Sequence, residues 1–204
     1  MKTTWKDYKT NGRDFKDLIH PSGVNEEHYF NSGLQSSKYV INKCNLQKND
    51  KILEYGCGNG RILKHLNNYN IWGVDLVQDF LDDGIKNGVK NLYNIKFELN
   101  QKFNKIFSYT VFIHLNDEDT IKALKYIYDH LEDNGSAFLQ IPLYDIMTPH
   151  DGNFICVRTW NTKELFPILH NIGFVIKSFK VSKDIFKYER IGKHHEEFIE
   201  LTKK

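Results

Sequence analysis

Three groups of residues in this chain have the types and spacing that support chemistry. The first is Glu54-Tyr55-Gly56-Cys57-Gly58-Asn59-Gly60-Arg61. Its glycines allow a tight turn with positive φ and let backbone come close to a ligand. The acid at its head suits a cationic ammonium and would repel a pyrophosphate. A dinucleotide GxGxxG fingerprint would need glycine at position 61, where Arg61 stands. The second group is Ile71-Trp72-Gly73-Val74-Asp75-Leu76. A carboxylate at the tip of such an apolar run can accept both hydroxyls of a ribose, or cap a helix starting at Val77, or do both. The third is His114, whose imidazole, with an ordinary pKa of about 6.5, accepts a proton at neutral pH without much help. It serves equally well as a hydrogen-bonding group in a turn.

Other polar residues are weaker candidates. Tyr144, Asp145, His150 and Asp151 fall in Pro142–Val157, a stretch without helical period that contains two prolines. It reads as a substrate loop at the carboxyl edge of a sheet, with Tyr144 and His150 as substrate contacts. Trp5, Tyr8, Tyr29 and Phe30 would be costly to leave exposed, so the segment before the glycine loop reads as a cap, with Tyr29 or Phe30 facing a ligand. His194-His195-Glu196-Glu197 suggests a metal cluster, but neighbours on a strand point to opposite faces, so these residues read as strand surface and no metal is expected.

The elements that must position these groups follow from the pattern. Asn25, followed by Glu26 and Glu27, reads as a helix start, and a second helical stretch covers roughly Ser36 to Cys44. Beyond Asn49-Asp50, strand-like and helix-like runs alternate. Strands are expected at Lys51–Tyr55, Ile71–Val74, Ile95–Leu99, Ile106–Ile113, Ala137–Ile141, Phe174–Val181 and Glu196–Leu201. Helices are expected at Arg61–Asn67, Val77–Asn87, Asp117–Leu131 (closed by Asn134-Gly135) and Thr162–Asn171 (closed by Gly173). Such alternation implies βαβ units and a mostly parallel sheet, and the last two strands, with no helix between them, form an antiparallel pair.

The acid-x-G-x-G-x-G loop, Glu54 to Gly60, resembles the first motif of class I S-adenosylmethionine (SAM) dependent methyltransferases. The resemblance extends through Asp75 and Leu76, then Phe103 to Leu115, then Leu131 to Gln140 with its Asn134-Gly135 turn, and Trp160 to Leu165 leading to Asn171-Ile172-Gly173-Phe174. Asn104 stands where that family commonly has Asp. The resemblance implies a Rossmann-like α/β fold: a seven-stranded, mostly parallel sheet with helices on both faces, its last strand antiparallel, and a short helical N-terminal cap. It implies SAM as cofactor, with Glu54 near the amino group, Gly56, Cys57, Gly58 and Gly60 beneath the ligand, Asp75 on the ribose, Leu76 beside the adenine, and Ser108 and Tyr109 at the tip of the fourth strand. An adenine contact is also expected near the end of the third strand, around Phe97-Glu98-Leu99-Asn100, with no one residue singled out. His114 takes the place of the catalytic His of phosphobase N-methyltransferases.

Composition narrows the acceptor. With 28 Lys+Arg against 26 Asp+Glu in 204 residues, the chain lacks the basic excess that drives nucleic-acid or anionic-membrane binding. No apolar run is long enough to span a bilayer, and the polar N-terminus has no signal-peptide core. Cys44, Cys57 and Cys156 cannot all pair and form no CxxC, which fits a reduced, cytoplasmic compartment. The expected protein is one methyltransferase domain, 1–204, with a cap at 1–47 and a SAM-binding core at 48–204. It would methylate oxygen or nitrogen of a small molecule: a sugar, sugar nucleotide, phospho-compound or small amine. The alternatives are a SAM-binding regulator without turnover and an NAD-type Rossmann oxidoreductase.

Overall fold

The computed structural model describes residues 26–144, 158–181 and 198–203. Its described residues fall into two compact units, 26–100 and 101–203. The first opens with helix α1 (Glu26–Lys43), then β1 (Lys51–Tyr55), β2 (Asn70–Asp75), α2 (Gln78–Lys86) and β3 (Leu92–Asn94). The two helical stretches expected on either side of Ser36 are one helix. β1 and β2 are apolar runs buried on both faces, as parallel strands are, and Ile52, Leu53 and Val74 are fully enclosed. β1 pairs with β2, and β2 with β3, in parallel.

Two expectations fail in this unit. The run Arg61–Asn67 forms only a 3₁₀ turn, Leu63–His65, which ends where Leu66 N donates to Leu63 O at 2.9 Å. Asn67, Asn68, Tyr69 and Asn70 follow, and asparagines compete for backbone hydrogen bonds and so favour turns over continued helix. The third strand lies at Leu92–Asn94 rather than Ile95–Leu99, because Asn94 pairs in register with Asp75 and the chain turns directly after it, Phe97 N donating to Asn94 O.

The second unit contains β4 (Phe103–Ser108), α3 (Asp117–His130), β5 (Leu131–Gln140), α4 (Thr162–Ile172), β6 (Phe174–Ser178) and β7 (Phe198–Lys203). β4 and β5 are parallel, whereas β7 is antiparallel to both β5 and β6. The seven strands form one sheet in the order β3-β2-β1-β4-β5-β7-β6, the mostly parallel arrangement with an antiparallel last strand that the sequence implies. Asn116 caps α3, accepting from Asp119 N at 2.8 Å, and Asn161 caps α4, accepting from Glu164 N at 3.0 Å. Gly173, at φ 113°, closes α4.

Two boundaries differ most from expectation here, while β6 ends at Ser178 rather than Val181 and β7 runs on to Lys203 rather than Leu201. α3 runs straight into β5 at Leu131, and Asn134-Gly135 lies within an irregular stretch of that strand: Phe103 pairs with Leu131 but Lys105 with Ser136. The fourth strand ends at Ser108 rather than Ile113, because Thr110 takes a left-handed φ of 58° and the chain then coils into a 3₁₀ turn at Phe112–His114.

Candidate active site

The glycine loop follows β1. Gly56, Gly58 and Gly60 have φ of 73°, 56° and 74°, a region that side chains other than glycine rarely enter. The Gly56 and Cys57 N–H groups both donate to Val74 O, at 2.8 and 3.0 Å, which fixes the loop to the end of β2. Asp75 completes the hold: its Oδ2 accepts from Gly58 N at 2.8 Å and its Oδ1 from Val77 N at 2.9 Å. One carboxylate therefore ties the glycine loop to Val77, the residue before α2, and keeps acceptor capacity that a ligand hydroxyl can use. Burial raises the Asp75 pKa, and the N–H groups of Val77, Gly58 and Leu76 oppose that rise.

Glu54, at the end of β1, is 3% exposed, and its Oε2 has no hydrogen-bond partner. Burial drives its pKa well above the usual carboxylate range; Arg61 opposes the rise and Asp75 adds to it. A buried acceptor without a partner is costly, and an ammonium placed beside it would both satisfy and recharge it. This orphaned oxygen fits the amino group of SAM. Burial likewise pushes the Cys57 thiol up, helped by Asp75 and Glu54, so Cys57 stays protonated and acts as packing, not as a nucleophile.

The loop's outer side is held by side-chain bonds that the sequence does not reveal. Asn59 Nδ2 donates to Asp83 Oδ2 at 2.9 Å, and Asn59 Oδ1 accepts from the Tyr29 hydroxyl at 2.7 Å. Arg61 Nη1 donates to Ser32 Oγ at 3.1 Å. Tyr29 is thus fastened to the glycine loop, which links α1 to the Glu54–Gly60 motif. Gly84 lets α2 approach closely: a Cβ there would lie 2.5 Å from Asn59 O. At the end of β3, Asn94 Nδ2 donates to Leu76 O at 3.2 Å. The third-strand residue beside Leu76 is therefore Asn94, and Phe97 stands 67% exposed. Misplacing the strand hid that residue.

In the second unit, Ser108 ends β4 and Tyr109 follows it; both are buried, and the Tyr109 ring lies 6.1 Å from that of Phe198. Thr110 N donates to Gln140 Oε1 at 2.8 Å, which holds the left-handed residue in place. His114 is half-buried and closes the 3₁₀ turn, its N–H donating to Val111 O at 2.9 Å. Arg158 N donates to Ile113 O at 2.8 Å, Trp160 N to Pro142 O at 2.8 Å, and Tyr144 N to Trp160 O at 2.8 Å. Backbone bonds therefore bring Tyr144, the 158–160 segment and the His114 turn together. Trp5, Tyr8, Asp145, His150, Asp151, Cys156, His194, His195, Glu196 and Glu197 lie outside the described residues, as does the Phe30 side chain.

A family model described as a methyltransferase domain matches residues 36–177. The chain belongs to the methyltransferase-domain family. The match covers both the Glu54–Gly60 loop and the His114 turn. The comparison with curated proteins found no match. Among solved structures, DesVI from Streptomyces venezuelae is similar in fold, with a TM-score of 0.64 and 14% identity over 97% of this chain and 100% of that one. The magnesium protoporphyrin IX methyltransferase of Synechocystis, crystallised with SAM, has a TM-score of 0.63 and 13% identity over 96% of this chain and 93% of its own. CalS10, an amino pentose methyltransferase from Micromonospora echinaspora, also crystallised with SAM, has a TM-score of 0.63 and 10% identity over 93% and 96%. At these identities the likeness is one of fold. The methyltransferase domain has the seven-stranded sheet implied by the class I SAM-dependent resemblance. Among the described residues no helix is long and apolar enough to cross a membrane, and no cluster of potential metal ligands occurs.

Proposed function

We propose that this methyltransferase domain binds SAM on the Glu54–Gly60 loop and transfers its methyl group to an oxygen or nitrogen of a small molecule. The observation that carries the reading is the buried, partnerless Glu54 Oε2 at the head of a loop of three left-handed glycines, of which Gly58 is held by Asp75. SAM, when bound, supplies a methyl group activated by its positive sulfur. Glu54 would hold the ammonium, Asp75 the ribose hydroxyls, and Leu76 the adenine, while the glycine backbone leaves room for the ligand. Cys57 packs beneath it, and Ser108 and Tyr109 would complete the site. The bound neighbours in two related folds support the cofactor. A pyrophosphate cofactor is disfavoured by the same Glu54 carboxylate.

His114 would take the proton from a hydroxyl or ammonium acceptor. On its turn the residue is only partly buried. Tyr144 and His150 would line the acceptor side, and Tyr29 would act there through the cap. Residues 1–47 would cover the site and 48–204 form the core of a single cytoplasmic domain; the bond from Tyr29 to Asn59 supports that cap. The near-balanced charge of the chain favours a small acceptor, a sugar, sugar nucleotide, phospho-compound or amine, over nucleic acid. The test is incubation of the purified chain with SAM and panels of nucleotide sugars and small amines, read by mass spectrometry. A product one methyl heavier, with demethylated SAM released, is expected. Tight SAM binding with no methylated product across broad panels and cell extracts would favour a regulator instead.

A further inference from the structure

Arg158 is a cation that the proposed mechanism does not use, yet it is only 1% exposed. Its contacts bracket the turn that carries His114. On one side, its backbone N–H donates to Ile113 O at 2.8 Å. On the other, its guanidinium Nη2 lies 2.9 Å from Asp117 Oδ1, in the first turn of α3. The guanidinium also stacks on the Trp160 ring at 3.9 Å, and Trp160 is itself held by its backbone bond to Pro142. One residue thus grips the chain immediately before His114 and again just after it. We infer that Arg158 is a positioning residue for His114, locking the 3₁₀ turn through its bond to Ile113 and its ion pair with Asp117.

The physical case rests on burial and on shape. A buried cation is tolerated only when paired, so the Asp117 contact is held against thermal drift more firmly than a surface pair would be. Arginine can make the pair and the stack at once, because its flat fork presents donors at its edge and a π face above; lysine cannot do both. A short 3₁₀ turn has poor hydrogen-bond geometry of its own, so it needs such external support. Displacing a reacting group by about 1 Å can cost about 100-fold in rate. The inference rests on the proposed role of His114 for its catalytic consequence, but not for its geometry.

Asp117 is 66% exposed, so Asp117→Asn should leave the fold intact. The experiment follows the imidazole signal of His114 by NMR in the full-length chain with labelled histidine, assigned by its loss in His114→Gln. Alongside it, kcat is measured with SAM and a nucleotide sugar or small amine that the panel shows to be methylated, and SAM affinity by calorimetry. Asp117→Asn and Arg158→Lys should each shift the His114 signal and lower kcat about 10- to 100-fold, with SAM affinity unchanged. Asp117→Glu, which keeps the ion pair, should restore most of both. A His114 signal unmoved in both variants overturns the inference. A shifted signal together with a His114→Ala enzyme of full activity would instead overturn the base, and leave the clamp standing as a property of the turn.

Discussion

The glycine-loop side and the His114 side of this methyltransferase domain are built by different means. Around Glu54–Gly60 the shape is set by backbone: three left-handed glycines, two N–H groups on Val74 O, and one carboxylate bridging Gly58 and Val77. Around His114 the shape is set by contacts from distant parts of the chain: Gln140 on Thr110, Arg158 on Ile113 and Asp117, and Trp160 on Pro142 and Tyr144. A backbone-built site specifies one ligand chemistry and leaves little room for variation. A site assembled from remote segments of the chain can change its acceptor without disturbing the first. On the proposed function, this difference would separate a fixed cofactor from an adjustable acceptor.

Four substitutions sharpen or break that contrast. The largest effect is expected on the half assembled from remote segments, where His114→Ala should lower kcat about 10²–10⁴-fold while SAM affinity stays nearly constant, because a general base contributes on that scale. Steady-state kinetics with the identified acceptor check it; an unchanged kcat would make His114 a turn residue. On the backbone-built half, Gly84→Ala places a Cβ 2.5 Å from Asn59 O, a backbone atom that cannot swing aside. It should destabilise the fold by about 1–3 kcal/mol and weaken SAM binding with it. Chemical denaturation and calorimetry read the two effects, and normal values for both would remove α2 from the loop's support.

Glu54→Gln separates stability from function. Because burial raises the Glu54 pKa in the folded state, its favourable contribution is full below the unfolded value and is lost as pH rises through the folded value. Near neutral pH the ligand-free protein therefore carries a cost that glutamine removes. Glu54→Gln should raise the ligand-free Tm, with a larger gain at about pH 8 than at about pH 5, and should weaken SAM binding. Thermal unfolding at both pH values checks the sign; a gain confined to low pH contradicts it. The smallest effect is expected for Tyr29→Phe, which deletes one hydrogen bond to Asn59 and should weaken SAM binding by about 1 kcal/mol. An unchanged affinity would mean that α1 does not tune the loop.

How much of this could be read from sequence follows the same contrast. The glycine loop and Asp75 were legible because backbone conformation leaves a mark on residue type: only glycine takes those φ values cheaply, and β1 is an unbroken apolar run. The stop at Gly173 has a similarly local cause. The third strand was misplaced because Ile95-Lys96-Phe97 looks more strand-like than Leu92-Tyr93-Asn94, and only pairing with β2 selects the latter. The length of β4 is misread for a related reason: the left-handed Thr110 beyond it depends on a tertiary partner, Gln140. Arg158 left no local signal, since its meaning lies in Ile113 and Asp117.

The central claim is that Glu54–Gly60 and Asp75 form a SAM site, and calorimetric titration of SAM into the wild-type chain and into Gly58→Val and Asp75→Ala tests it most directly. The wild type should bind SAM with one-to-one stoichiometry. Gly58→Val should abolish binding, because valine can neither adopt a φ of 56° cheaply nor leave the ligand's space empty. Asp75→Ala should weaken binding by about 1–3 kcal/mol, through loss of both the ribose acceptor and the bond to Gly58 N. Folded variants that bind SAM as tightly as the wild type would contradict the assignment of the loop.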